Sequence, residues 1–262
     1  MIRVAFLGSH DLGVACLDRL VDHDEVSVEV VVTYAADADT WWDASVRERA
    51  RELDLDCPVL PLDREREVLD HEVDYLLSVY HTNVLGPEFL EHPEELPLNL
   101  HQAELPRYRG SNVFSHAIVN AREDDYWWYG TTLHVMAEDV DAGDVVDRNF
   151  VPITEEDTSR SLYERTTEAS IELFEEALPL LVNREVDAHR TPQSEFDGPR
   201  YFYSKDSLDG EKEIPPERLA DERVEDEVYD KIRALDFPPH EPAYTRVGGR
   251  KVHLTSGRYD DE

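Results

Sequence analysis

Lysine is nearly missing from this chain. Four occur in 262 residues, Lys205, Lys212, Lys231 and Lys251, and arginine supplies the other cations. Against 26 Lys+Arg stand 60 Asp+Glu, a formal net charge of -34. Broad contact with nucleic-acid phosphates needs basic charge, so the composition argues against a nucleic-acid partner. The acids are spread along the whole chain, and the core segments stay apolar, which excludes a disordered acidic tail. A surface adapted to high salt, where screening mutes self-repulsion, explains this better than an acidic docking patch. The expected setting is a halophilic cytoplasm. Cysteine is scarce as well. Cys16 and Cys57 have no paired spacing, so neither a disulfide framework nor a zinc or other metal site is expected. No apolar run approaches the roughly 18 residues of a membrane helix. The run Met1 to Gly8 is too short for a signal peptide and breaks at Gly8-Ser9-His10-Asp11, so it reads as a first strand. The first turn holds Gly8 and Gly13 but lacks G-x-G-x-x-G, and no dinucleotide site is predicted.

What is there is alternation. Strands are predicted over 2–7, 26–33, 57–60, 74–80 and 96–101. Helices are predicted over 14–22, over 39–53 with Thr40 as cap, over 64–71 and from Pro87 to Leu90. Such alternation implies parallel βαβ units, a Rossmann-like α/β sheet with helices on both faces. Ligands then bind outside the carboxyl ends of the strands, where Gly8, Tyr80 and His101 fall. Further on, 112–121 reads as a helix capped by Ser111 or Asn112. Residues 127–137 and 145–153 read as strands, antiparallel or at the sheet edge. Residues 157–182 form a long amphipathic helix with Leu162, Thr166, Ala169, Leu173, Ala177 and Leu181 on one stripe. Past the Pro192 and Gly198-Pro199 loop, a short helix near 224–235 and a hairpin pairing 243–247 with 251–254 around Gly248-Gly249 suggest a small α+β appendage. The expected division is 1–185 and 186–262.

The chemistry concentrates between Asn99 and Asp144. Asn99 and His101 end an apolar run at i and i+2, so a strand points both to one face. An amide donor beside an imidazole can hold a developing oxyanion and move a proton. Asp141 arrives on a separate loop and can accept a proton or keep His101 charged. The ordered set N-x-H (Asn99, His101), L-P-x-Y-x-G (Leu105 to Gly110), G-x-T-x-H (Gly130 to His134) and D-x-G (Asp141 to Gly143) resembles the folate-dependent formyltransferases. That family includes glycinamide ribonucleotide transformylase, methionyl-tRNA formyltransferase and sugar N-formyltransferases.

The resemblance covers roughly residues 1–185. It implies the formyltransferase fold, 10-formyltetrahydrofolate as formyl donor, and attack of an amine on the formyl carbon through a tetrahedral intermediate. It makes Asn99, His101 and Asp141 the catalytic trio. It places the donor against Tyr80, Asn83, Val84 and Leu85 and against Ala137, Glu138, Asp139 and Val140. Gly8, Ser9, Arg107, Tyr108, Arg109 and Gly110 are expected on the acceptor side. The sequence departs from the family at Gln102-Ala103-Glu104 and at Asn83, where some relatives carry a cation. The tail phrases Tyr201-Phe202-Tyr203-Ser204-Lys205, Ile232-Arg233-Ala234-Leu235 and Pro242-Ala243-Tyr244-Thr245 are similar to sugar N-formyltransferases. The expected acceptor is therefore a nucleotide-linked amino sugar, and the resemblance suggests a homodimer. The alternatives are a methionyl-tRNA formyltransferase-like enzyme and a folate- or sugar-binding protein without turnover. Outside the trio, His134, His116, Trp41 and Trp42 are expected to serve packing. Lys205 is expected on the surface. Trp127, Trp128 and Tyr129 are expected to pack on the sheet, with sugar or base stacking as the alternative.

Overall fold

The computed structural model describes residues 1–256. Seven strands form the central sheet: β1 (Ile2–Gly8), β2 (Val26–Thr33), β3 (Val59–Pro61), β4 (Tyr75–Val79), β5 (Leu96–His101), β7 (Trp128–Val135) and β8 (Val145–Pro152). The short β6 (Tyr108–Gly110) lies outside it. The spatial order is β3-β2-β1-β4-β5-β7-β8. The first five strands are parallel, and β7 and β8 run antiparallel at the edge. Order reverses beside β1, so a crevice opens at the carboxyl ends of β1 and β4.

Helices α1 (His10–Val21), α2 (Val46–Glu52), α3 (Pro87–Leu90), α4 (Val113–Glu123) and α5 (Ser159–Val182) connect or cover these strands. On one face, Leu12, Cys16, Leu17 and Leu20 of α1 and Leu173, Phe174, Ala177 and Leu181 of α5 bury against β1, β4 and β5. On the other, Val68, Val73 and Phe89 cover Ala5, Leu7, Val30, Val32 and Leu76. Fully burying each such side chain is worth about 1.5–3 kcal/mol. The central strands read as continuous apolar runs because both faces are covered.

Three local expectations are corrected. Residues 39–45 are not helical, and α2 is capped by Ser45, whose Oγ accepts from the Glu48 N–H at 3.2 Å. Thr40 instead donates to the Trp42 carbonyl, in a bend that carries Trp41 and Trp42 inward. The segment Leu62–Asp70 is a 3-10 helix. Helix α4 begins at Val113, after Asn112 in the left-handed region at φ 58. The Asn112 amide does not cap that helix. It donates to the Lys205 carbonyl and to Ser207 Oγ.

That contact ties in the C-terminal region, which comprises α6 (Val186–His189), β9 (Tyr201–Tyr203), α7 (Pro216–Leu219), α8 (Glu225–Ala234) and the hairpin β10 (Ala243–Val247) and β11 (Arg250–Leu254). Ile214, Val228, Leu235 and Ala243 give it a small core of its own. It is also fastened to the larger body. Strand β9 pairs parallel with β6. The buried Arg233 of α8 donates from Nη1 to the Thr154 and Asp157 carbonyls, both at 2.9 Å, and from Nε to Asp230. Among the described residues, no helix is long and apolar enough to cross a membrane.

Candidate active site

A cavity of about 720 Å³ opens at the carboxyl ends of β1, β4 and β5. Asn99, His101 and Asp141 all line it. Leu98 and Leu100 turn into the core, so strand alternation leaves Asn99 and His101 on the open face. Asn99 pairs with His134 across β5 and β7, and its Nδ2 lies 3.1 Å from His134 Nε2. His134 Nδ1 lies 2.9 Å from the Val135 carbonyl, which can only accept. The proton therefore sits on Nδ1, and Nε2 accepts from the Asn99 amide. Burial holds His134 down at about 4 and keeps it neutral, against the pull of Asp141. The amide is thus oriented with its NH₂ group on the histidine side, where a second N–H remains for an incoming oxygen.

His101 Nε2 donates to the Tyr108 carbonyl at 3.1 Å. Asp141 sits between the two imidazoles, with Oδ2 3.7 Å from His101 Nε2 and Oδ1 3.7 Å from His134 Nε2. Both distances are too long for hydrogen bonds. Asp141 is held from elsewhere. It adopts φ 52, its Oδ2 accepts from the Gly110 N–H at 2.9 Å, and its carbonyl accepts from Gln193 Nε2 at 2.8 Å. Burial pushes its carboxyl up, but His101, His134, the Gly110 N–H and Arg109 together outweigh burial and hold it below the usual carboxylate range.

Most residues expected on the donor side line the cavity. Tyr80, Asn83, Val84 and Leu85 line it, as do Ala137, Glu138 and Val140, with Met136, Leu90 and Leu100 adding apolar surface. Asp139 shares the loop but does not line the cavity. Glu65 Oε2 fixes the 80–85 loop, accepting from Asn83 Nδ2 and meeting His81 Nε2, each at 2.8 Å. Val84 and Val140 are bare at 73% and 37% exposure, apolar surface that a flat heterocycle would cover. A pteridine fits this pocket's chemistry.

On the acceptor side the structure corrects several expectations. Gly110 lines the cavity, but Gly8, Ser9, Arg107, Tyr108 and Arg109 do not. Ser9 is buried and donates from Oγ to the Tyr80 carbonyl at 2.6 Å. A Cβ on Gly8 would strike the Phe6 ring at 2.5 Å, so that glycine serves packing. Arg107 turns away to Asp124 at 2.6 Å and lies over Tyr126. Tyr108 is buried among Tyr129 and Tyr201. Arg109 is used on the Val140 carbonyl, at 2.9 and 2.6 Å, and so props the loop ahead of Asp141.

In their place stands an aromatic wall that residue types alone did not mark. The His10 ring stacks between Trp42 at 3.5 Å and Tyr80 at 4.3 Å. Trp41 meets Tyr163 and Phe237 edge-on. Burial takes His10 down to about 3, so it acts as a neutral ring. Trp41 and Trp42 thus line the cavity instead of only packing, and Lys205 lines it too. Trp127 and Trp128 do not. Trp127 packs beneath Arg122, Trp128 is half exposed, and Tyr129 is buried with its hydroxyl on the Gln102 carbonyl. His116 does serve packing, stacked on Tyr203 at 3.5 Å.

A family model described as "Formyl transferase" matches residues 2–178. A methionyl-tRNA formyltransferase from Bacillus thuringiensis subsp. konkukian is 29% identical over 267 residues, covering 98% of this chain and 79% of the relative. Among solved structures, a 4-N formyltransferase from Francisella tularensis superposes with a TM-score of 0.75 at 18% identity, covering 97% of this chain and 96% of that one. An N-formyltransferase from Helicobacter canadensis, solved with folinic acid and dTDP-3-aminofucose, superposes with a TM-score of 0.74 at 18% identity, covering 97% and 87%. At such identities these structures establish a shared fold. The family match spans well over half of the chain, which therefore belongs to the formyl transferases.

Proposed function

We propose that this protein transfers the formyl group of 10-formyltetrahydrofolate to the amino group of a nucleotide-linked amino sugar. The observation that carries the reading is one cavity lined by three sets of residues. Residues of the 80–85 and 137–140 loops, which this reading gives to the donor, line it, as do the aromatic residues Trp41 and Trp42 and the trio Asn99, His101 and Asp141. Asn99 offers its free amide N–H to the oxygen on which negative charge develops. His101 faces the same region, adds positive charge when protonated and gives a proton to the leaving nitrogen. Asp141, kept ionised by its surroundings, takes the proton that the amine must lose. The folate supplies the formyl group, and every proton transfer is assigned to this chain's own side chains.

A sugar acceptor is favoured over tRNA by the net charge of -34, which opposes contact with a polyanion. The Helicobacter protein's nucleotide-linked ligand is consistent with it. Residues 1–185 would carry the transfer, and 186–262 would complete the acceptor wall through Lys205, Leu208, Lys212, Phe237 and His240. A homodimer, a cytoplasmic setting and a salt-adapted surface belong to the same reading. The test is tetrahydrofolate release when 10-formyltetrahydrofolate is mixed in molar salt with a nucleotide-linked 4-amino sugar or with charged initiator tRNA. Release with the sugar is expected. Release with tRNA alone overturns the acceptor, and folate binding without release to any amine overturns the enzyme.

A further inference from the structure

The four lysines divide into two pairs. Lys231 reaches Glu211 at 2.7 Å and Lys251 reaches Glu241 at 2.6 Å, both in the C-terminal region. Lys205 and Lys212 make no ion pair with a carboxylate among the described residues, and both line the cavity. Lys205 Nζ has the Thr82 carbonyl at 3.3 Å, a neutral and long contact. Other cations without an ion pair among the described residues are tied to carbonyl oxygens, Arg47 to Tyr34 and Val59, Arg109 to Val140, Arg148 to Leu105 and Arg200 to Gln193 and Phe196. Lys205 has only that long carbonyl contact and Lys212 is near Glu241 without an ion pair to it, so two ammonium groups on the same cavity keep charge to offer a ligand.

The surroundings say which ligand. Lys212 lies close enough to His240 and Glu241 to act on both electrostatically, and His240 touches Trp41 and Phe237 edge-on or tilted. That places it on the aromatic side. Of the acids on the cavity, Glu241 is engaged by Lys251 and faced by His253 at 3.5 Å, and Asp141 is held by the Gly110 N–H. Glu138 and Asp209 also line the cavity, so the site as a whole is not basic. The attraction for an oxyanion must come from these two side chains at short range.

We propose that Lys205 and Lys212 form an oxyanion subsite that takes the phosphate groups of the acceptor, beside Trp41 and Trp42, which take its ring system. This rests on the reading of the acceptor as nucleotide-linked, and it names the residues that recognise its diphosphate. Ammonium–phosphate contacts are charge-assisted and strong, and flat rings stack well on tryptophan. The same two cations could instead meet the glutamate carboxylates of the folate, since Thr82 belongs to the donor loop.

Binding without turnover separates these cases. The probes are inorganic pyrophosphate, dTDP and UDP with their parent nucleosides, and folinic acid, titrated by calorimetry. The proteins are the wild type and the K205Q, K212Q, K205Q/K212Q and K205R/K212R variants. Each single Lys→Gln change is expected to weaken pyrophosphate and nucleoside diphosphate about tenfold, or about 1.4 kcal/mol. The double change is expected to weaken them further, with nucleoside and folinic acid unchanged and the arginine variant retaining most of the affinity. Unchanged diphosphate affinity in K205Q/K212Q overturns the subsite, while wild-type formylation of a nucleotide-linked amino sugar would leave the acceptor reading standing. Loss of folinic acid affinity alone also overturns the subsite, assigning the lysines to the donor. A wild type that binds no diphosphate and formylates no nucleotide sugar overturns both.

Discussion

His134 shows how much a single proton position decides. Its Nδ1–H is committed to the Val135 carbonyl, so Nε2 can only accept, and the Asn99 amide is oriented as a result. Burial favours the neutral ring, moving it from 6.5 to about 4. A lowered histidine contributes stability that is fully present above 6.5 and is lost as pH falls from there through about 4. A shift of that size corresponds to about 3 kcal/mol at most. Denaturant midpoints measured at pH 7 and pH 5 should therefore fall less for H134Q, which accepts from Asn99 and does not titrate, than for the wild type. Equal falls would remove His134 as the cause. At His101 the expectation concerns rate. His101→Ala should keep the folded spectrum in high salt and lose at least ~10²–10³-fold in formyl transfer, the range seen when one transition-state stabilising donor is deleted. Turnover at the wild-type rate would overturn the assignment.

At the scale of elements, the site depends on a short pairing that joins both regions of the chain. In β6, Gly110 lies opposite Tyr203 of β9, at φ +92. A Cβ there would approach the Tyr203 carbonyl oxygen to 2.1 Å, and neither backbone can yield without breaking the pair. The same residue's N–H holds Asp141. Gly110→Ala should thus destabilise by about 2 kcal/mol or more, read from chemical denaturation. It should also slow formyl transfer beyond what the remaining folded fraction explains. A folded variant with wild-type kcat would show that the Gly110 N–H does not matter to Asp141. Helix α1 makes a related point. Its first residue, His10, has φ 64, and that sharp entry brings the imidazole between Trp42 and Tyr80.

For the whole molecule, the controlling quantity is the net charge of -34. Surface ion pairs such as Arg19–Glu175 and Arg160–Glu164 contribute about 0–1 kcal/mol each and leave the excess acids unpaired. The Debye length falls from ~10 Å at 0.1 M to ~3 Å at 1 M salt, so repulsion between neighbouring carboxylates is muted only at high concentration. The unfolding midpoint should rise between millimolar and molar sodium chloride. A midpoint independent of salt would contradict a salt-adapted surface.

Periodicity made the parallel sheet legible, because strand segments covered on both faces are apolar runs, as 30–32 and 75–77 are. The i, i+2 spacing put Asn99 and His101 on one face before any coordinates, since alternation is a local property of a strand. The G-x-T-x-H and D-x-G spacings marked His134 and Asp141 as part of the same motif. What local reading could not supply was which distant side chains meet. Whether Arg107 faces a ligand or Asp124, and whether Trp41 packs in a helix or reaches Tyr163 and Phe237, depends on chain separations of tens to hundreds of residues. By itself the sequence determined the fold class, the strand end with its amide and imidazole, and the acidic surface. Only the tertiary structure decided that Lys205 and Lys212, from the far end of the chain, share a cavity with them, because burial and pairing of polar groups are settled by packing and not by pattern.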